Sequence, residues 1–162
     1  LLIIGNGPEL AKLKALANPN IDFLGYQPDA IVAEYLAKAR ALVFAANEDF
    51  GITPVEAQAA GTPVIALKRG GAVETVRDAV SQPLGTGVFF PEQSVDSLIS
   101  TIRDSESLID GISSAHCRAN AERFSAQVFN TRFRQLMDTA QETWEGTRQS
   151  RHTFEAEVIR DD

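Results

Sequence analysis

Ala41-Leu42-Val43-Phe44-Ala45-Ala46-Asn47-Glu48-Asp49-Phe50-Gly51-Ile52-Thr53-Pro54-Val55-Glu56-Ala57-Gln58-Ala59-Ala60-Gly61-Thr62-Pro63-Val64-Ile65-Ala66-Leu67 is the stretch that decides the fold. It opens on an uninterrupted apolar run, Ala41–Ala45, and closes on another, Pro63–Leu67. Continuous rather than alternating apolar runs indicate strands buried on both faces, as in a parallel sheet. Between the two runs, Pro54–Ala60 reads as a helix, with Pro54 at a first helical position and Gly61 just past the end. The stretch is therefore a strand-helix-strand unit.

The same alternation extends outward. Leu1–Ile4, Ile21–Leu24 and Gly87–Phe90 are further short apolar runs, spaced at roughly twenty-residue intervals. Pro8–Ala17 carries Leu10, Leu13 and Leu16 at helical spacing, and Asp29–Ala39 carries Ile31, Val32, Tyr35 and Leu36. Asp29, following Pro28, reads as an N-cap. Ala72–Ala79 is a short helical turn. The pattern predicts an α/β domain with a doubly wound parallel sheet over 1–144. After Phe90 the strands stop. Helices are expected over Ser94–Asp104 and Leu108–Phe124, then from a Ser125 cap through Trp144. The last carries a stripe of Phe129, Phe133, Leu136, Met137, Ala140 and Trp144. That stripe either packs on the domain's own sheet or docks on a domain outside this chain. Residues 145–162 are polar and charged and are expected to form a frayed tail.

Composition narrows the class. With 162 residues, 44% hydrophobic, the chain fits one domain with a core of its own. A lone Cys117 excludes an internal disulfide and a cysteine zinc site, and His116 and His152 are too scattered for a histidine metal centre. No metal site is expected. No apolar run approaches the roughly 18 residues of a membrane span. An acidic balance of 22 carboxylates against 15 cations argues against nucleic acid as a partner. The chain opens inside an apolar run with neither an initiator Met nor a basic region ahead of it, so the run does not read as a signal peptide. It reads as a piece of a longer protein, in a reducing, cytoplasmic compartment.

Ligands of open α/β sheets bind outside the carboxyl ends of the strands. Three loops leave strands there with unusual content: Gly5-Asn6-Gly7-Pro8, the segment Ala46–Glu56, and Lys68-Arg69-Gly70-Gly71-Ala72-Val73-Glu74. In the second, Gly51 leaves room for a close ligand, and the helix that follows presents its amides as an anion site. The helix dipole adds about 0.3–1 kcal/mol when exposed. Glu48 and Glu56 flank that point. Two carboxylates can accept from vicinal hydroxyls, at roughly 1.5–3 kcal/mol per charge-assisted bond. Residue by residue, Glu56 also reads as an acid complementing the dipole, and Glu48 and Asp49 as solvated loop charges.

Glu48, seven residues, then Glu56, inside Glu-Asp-Phe-Gly-Ile-Thr-Pro-Val-Glu-Ala-Gln-Ala-Ala-Gly-Thr-Pro-Val-Ile-Ala, resembles the signature of group 1 (family 4) retaining glycosyltransferases. Companion segments follow in order: Gly5-Asn6-Gly7-Pro8, Phe23-Leu24-Gly25, Arg69-Gly70-Gly71 through Glu74, and Gly87-Val88-Phe89-Phe90-Pro91. The resemblance covers roughly residues 1–125, and this variant looks most like bacterial polysaccharide and lipopolysaccharide mannosyltransferases. It implies the GT-B architecture, two Rossmann-like domains facing a cleft, of which this chain would be most of the C-terminal, nucleotide-sugar-binding one.

What the resemblance implies for individual residues follows the same division. Glu48 would be the catalytic residue, bonding the donor sugar's hydroxyls. Backbone around Phe50, Gly51 and Ile52 would meet sugar and diphosphate, with Gly7 on the neighbouring loop, and Glu56 would hold the ribose hydroxyls. The base would lie near Gly25, Tyr26, Gln27 and Asp29. In similar guanine-binding members an acid matching Asp29 accepts from the base, against the plainer reading of Asp29 as a cap. Lys68 and Arg69 stand at the expected phosphate edge, as donor contacts or as solvated charges. The implied reaction is metal-independent transfer with retention, moving a hexose from a nucleotide-diphosphate sugar, with GDP-mannose favoured, onto a glycan or lipid-linked acceptor. No cofactor besides the donor is implied. The partners would be an N-terminal acceptor domain of the same protein and, for the whole enzyme, the inner face of a membrane. Two departures stand out: Ala45 replaces a frequent Pro, and the strand-helix unit bearing the family's Arg and Lys is not in these residues. Other readings are a non-catalytic nucleotide-binding α/β module, or a GT-B epimerase or phosphorylase.

Strand order supplies a last expectation. A doubly wound sheet ordered 3-2-1-4-5-6 has its first strand at the centre. If Leu1–Ile4 is the second strand and Ala41–Ala45 the fourth, the sheet is interrupted between them. The 162 residues alone are then expected to be marginally stable and inactive in transfer.

Overall fold

Five short parallel strands and the helices between them occupy the chain from Leu2 to Phe90 in a computed structural model. It describes the backbone of residues 1–158 and the side chains of residues 1–147. The order is β1 (Leu2–Ile4), α1 (Leu10–Leu16), β2 (Asp22–Gly25), α2 (Asp29–Lys38), β3 (Leu42–Phe44), α3 (Ile52–Ala60), β4 (Val64–Leu67), α4 (Ala72–Thr75) and β5 (Gly87–Phe90). Then follow α5 (Val95–Asp104), α6 (Glu106–Gly111), α7 (Ser114–Ala121), a 3-10 turn (Glu122–Phe124) and α8 (Ala126–Val158). Leu1–Ala121 forms one compact unit, and the segment from Glu122 onward forms a second.

β4 explains why the apolar runs are uninterrupted. All four of its residues are buried, and alternate side chains point to opposite faces. Val64 and Ala66 join Leu36 of α2, Phe44 of β3, Ala57 of α3 and Ala72 of α4 in one cluster. Ile65 and Leu67 join Val88, Phe90 and Ile109 of α6 in the other. Helices thus cover both faces of the sheet, the doubly wound arrangement expected.

The strands form two sheets. β1 pairs with β2 in the register Leu2↔Asp22, Ile3↔Phe23, Ile4↔Gly25. β4 lies between β3 and β5, with Val64 opposite both Leu42 and Gly87. β1 and β3 are not hydrogen-bonded to each other. The interruption falls where the strand-order argument put it.

Several boundaries differ from expectation, each for a local reason. Asp29 is not the cap of α2. Pro28 occupies that position in an extended conformation (ψ 152°), its carbonyl accepting from Ile31 and Val32, and Asp29 is the first helical residue. Pro54 is the third residue of α3 rather than the first, because Gly51 in the left-handed region (φ 76°) starts the helix earlier. The helix expected over Leu108–Phe124 is broken. Ile112 is extended after Gly111, and Ser113 stands just ahead of a new helix, its carbonyl accepting from His116 and Cys117. The last helix does not stop at Trp144 but continues through Val158, across the first part of the expected frayed tail; residues 159–162 lie outside those described. Its stripe is not buried: Phe129, Phe133, Leu136, Met137 and Trp144 are exposed, the first two stacked with ring centroids 5.8 Å apart.

Two outcomes test this packing. A Cβ on Gly87 would lie 2.1 Å from the Val64 carbonyl oxygen, whereas one on Gly111 would meet nothing. Gly87→Ala is therefore expected to destabilise the chain by about 1–3 kcal/mol in urea unfolding, and Gly111→Ala to leave stability unchanged or slightly raised. Burial pushes the Cys117 thiol up to about 11. It stays protonated at pH 8 and is expected to react with a disulfide reagent only as fast as the chain unfolds; rapid labelling of the folded chain would contradict its burial.

Candidate functional site

The loops after β1 and β2 meet at the carboxyl edge of their sheet. Gly5 donates its N–H to the Gly25 carbonyl at 2.7 Å, and a Cβ on Gly25 would touch Asn6 Oδ1. Gly7 is exposed and has open space beside it. Gln27 is half-buried, and its side-chain amide donates to the Leu24 carbonyl at 2.7 Å, closing its own turn. Tyr26 and Asp29 are exposed.

The loops after β3 and β4 are held far more tightly. Gly71 N–H donates to the Glu48 carbonyl at 2.8 Å. A Cβ on Gly70 would sit 2.3 Å from the Glu48 oxygen, and one on Gly71 would sit 2.4 Å from both the Asp49 oxygen and Phe50 Cα. Only hydrogen fits there. The sequence Gly70-Gly71 is the condition for the Glu48–Phe50 backbone to lie where it does. Gly51 then turns the chain into α3 against the Phe44 ring. No side chain caps α3. Its first-turn amides, among them those of Ile52 and Thr53, are the groups a helix leaves without an internal partner. Glu48, Phe50 and Ile52 are exposed beside that end, and the Gln93 amide donates to the Ala45 carbonyl at 2.9 Å behind it.

α2 and α3 together line a groove of about 480 Å³, walled by Val32, Ala33, Leu36 and Ala59, with Asp29 and Glu56 on the same lining. The two acids read separately in the sequence thus share one apolar groove. Because Pro28 starts α2, the Asp29 carboxylate has no capping bond to its own helix. Lys68 and Arg69 are exposed just beyond β4 and form no ion pair among the described residues. The site's charge is therefore mixed. Two cations follow β4, Glu48 precedes the amino end of α3, and Asp29 and Glu56 share the groove, groups able to take a phosphate and a set of hydroxyls. Among the described residues no cluster of three or more His, Cys, Asp or Glu is placed to hold a metal ion.

Sequence reasoning missed the polar residues behind the site. Gln58 is fully buried, and its amide donates to the Pro54 carbonyl at 2.9 Å and the Thr75 carbonyl at 3.1 Å. Asn120 donates to Gln58 Oε1 at 2.6 Å and to the Thr75 carbonyl at 2.8 Å. A glutamine among Ala57, Ala59 and Ala60 in a helix flanked by buried strands was the available signal, since a buried amide needs partners. Nothing in the sequence names Asn120 as one.

The comparisons with known proteins converge. Residues 1–124 match the family model "Glycosyl transferases group 1". D-inositol 3-phosphate glycosyltransferase of Salinispora arenicola is 48% identical over 59 residues, 36% of this chain and 13% of that protein. Alpha-1,3/1,6-mannosyltransferase ALG2 of Rhizomucor pusillus is 42% identical over 72 residues, 44% of this chain and 16% of that protein. Among solved structures, sucrose-phosphate synthase from Thermosynechococcus elongatus superposes on 86% of this chain and 38% of its own, with a TM-score of 0.69 and 25% identity. HepE of Anabaena, solved with UDP-glucose, covers 85% of this chain and 40% of its own, with a TM-score of 0.60 and 25% identity. The chain thus spans less than half the length of these relatives, and its fold is part of the GT-B architecture. The two facing glycine-tight loops, the uncapped α3 and the family match over residues 1–124 lead to one assignment: the chain belongs to the group 1 glycosyl transferases.

Proposed function

We propose that this chain binds the donor in a retaining, metal-independent hexosyltransferase, and that the donor is a nucleoside-diphosphate sugar. The observation that carries the reading is the shared groove of Asp29 and Glu56 along the helix whose uncapped amino end adjoins Glu48. The diphosphate sits at that amino end, where amides and dipole favour an anion. Glu56 accepts from the ribose hydroxyls. Phe50, Gly51 and Ile52 line the sugar-diphosphate junction, with Gly7 across from them. Glu48 orients the hexose through its hydroxyls. As the bond to the diphosphate breaks, negative charge grows on the leaving oxygens, and preorganised donors stabilise it there; Lys68 and Arg69 stand at that edge. Gly25, Tyr26 and Gln27 shape the base end, where Asp29 accepts from the base. A carboxylate suits guanine, which offers two N–H donors on one edge, and GDP-mannose is the donor this favours. A glycan or lipid-linked alcohol accepts the sugar, bound by a domain outside this chain, so these residues alone carry no transfer activity. A UDP-sugar donor is the second reading, favoured by the likeness to HepE, solved with UDP-glucose.

Calorimetry on the protein that carries this chain, against GDP, UDP, GDP-mannose and UDP-glucose, tests the reading. Tighter binding of GDP than UDP is expected, with the preference lost in Asp29→Asn; tighter UDP binding overturns the guanine assignment. Glu56→Ala is expected to weaken nucleoside-diphosphate binding by about 1.5–3 kcal/mol, and unchanged affinity would remove Glu56 from the ribose. Glu48→Gln is expected to leave nucleoside-diphosphate affinity near normal while transfer falls steeply. A rate within about twofold of the parent, roughly 0.4 kcal/mol of barrier, would show that Glu48 does not orient the sugar.

A further inference from the structure

We propose that Gln58, Thr75 and Asn120 are positioning residues for Glu48, acting through Gly71; the inference rests on the reading of Glu48 as the sugar-facing carboxylate. The three side chains come from α3, α4 and α7 and are essentially inaccessible, at 0%, 0% and 1% exposure. Three polar residues in an apolar core carry a desolvation cost unless every group is paired, and here the pairing has a direction. Asn120 Nδ2 donates to Gln58 Oε1, which leaves the Gln58 amide nitrogen to donate to both the Pro54 and Thr75 carbonyls. The first of these lies in the opening turn of α3, the second at the end of α4. Asn120 also reaches the Thr75 carbonyl directly. At the other side of Thr75, its N–H and its Oγ1 both donate to the Gly71 carbonyl at 3.0 Å. Gly71 N–H in turn holds the Glu48 carbonyl at 2.8 Å.

The hydrogen bonds therefore run unbroken from Asn120 to the backbone of Glu48. The last link has no slack, because the Gly70-Gly71 backbone lies too close to residues 48–50 to admit a Cβ. Any shift of α4 against α3 must move the Glu48 backbone. The same bonds fix α3's first turn to α4, so the anion site and the carboxylate keep one spacing. The amides also serve stability, since apolar side chains at 58 and 120 would take from the buried Thr75 carbonyl the two donors it has here. Alignment of reacting groups is what such a network adds, and misplacement by about 1 Å can cost roughly 100-fold in rate.

Two variants of the protein that carries this chain test the proposal: Thr75→Val, which removes only the hydroxyl, and the pair Gln58→Met with Asn120→Leu, which removes the amides at similar volume. Amide hydrogen exchange at Gly71 is followed beside that at Ile65 in β4, with steady-state transfer measured in parallel. Exchange at Gly71 is expected to quicken about tenfold or more while Ile65 is unchanged, a local rather than global opening. Transfer kcat is expected to fall roughly 10–100-fold, with donor KM and nucleoside-diphosphate affinity within about twofold. Unchanged Gly71 exchange in folded Thr75→Val overturns the coupling. Quickened exchange with unchanged kcat overturns its role in positioning. Should the parent protein transfer no sugar, the transferase reading fails by that result, and Gly71 exchange in the variants still decides whether the network holds Glu48. A double variant that does not fold leaves the decision to Thr75→Val.

Discussion

The contact on which the site depends is between two stretches of backbone. The Glu48 carbonyl accepts from Gly71, and the chain at 70–71 lies so close to 48–50 that no side chain fits between them. It brings together the loops after β3 and β4, neighbouring strands of one parallel sheet. The sheet sets where the loops leave, and the glycines let them touch. Given that contact, Glu48 is fixed at the mouth of α3, and Gly51, packed on Phe44, turns the chain so that the helix begins with no side-chain cap. The result is an amino end without a side-chain cap, with a carboxylate close by in sequence.

The framework under this contact is ordinary hydrophobic physics. β4 sends Val64 and Ala66 to one face and Ile65 and Leu67 to the other, and helices cover both. That burial positions α3 and α2 side by side, which is what places Glu56 and Asp29 on one groove. The Arg40 guanidinium, paired with Glu106 and Asp110 at 2.7 Å, ties the end of the α2–β3 connection to α6. It holds the Asp110 carboxyl below its usual range by hydrogen bonding. The pair is exposed, so it adds little to stability next to the core.

Much of this was legible in the sequence. The uninterrupted run Val64–Leu67 announced a strand buried on both faces, and Gly61 marked the end of α3, though Pro54 put its start two residues late. The split between β1 and β3 followed from counting strands against a doubly wound order. What was not legible depended on contacts between distant residues. Asp29 looked like a cap because aspartate often is one; Pro28, already extended, took that position and freed the carboxylate. The break at Ile112 and Ser113 turned on a local hydrogen-bond choice that apolar spacing does not encode. The stripe on α8 has helical spacing yet is exposed, because periodicity reports which residues share a face and not what covers it. Gln58 could be singled out as a buried amide in search of partners, but its partner is 62 residues away.

Binding of a nucleoside-diphosphate sugar by the amino end of α3 with Glu48 and Glu56 is the proposal on which the functional reading turns. A crystal structure of the protein that carries this chain, bound to GDP, tests it most directly. Phosphate oxygens are expected within about 3 Å of the Ile52 and Thr53 amides, and the ribose hydroxyls on the Glu56 carboxylate. A nucleotide bound with its phosphates away from α3, or with its ribose out of reach of Glu56, would contradict it.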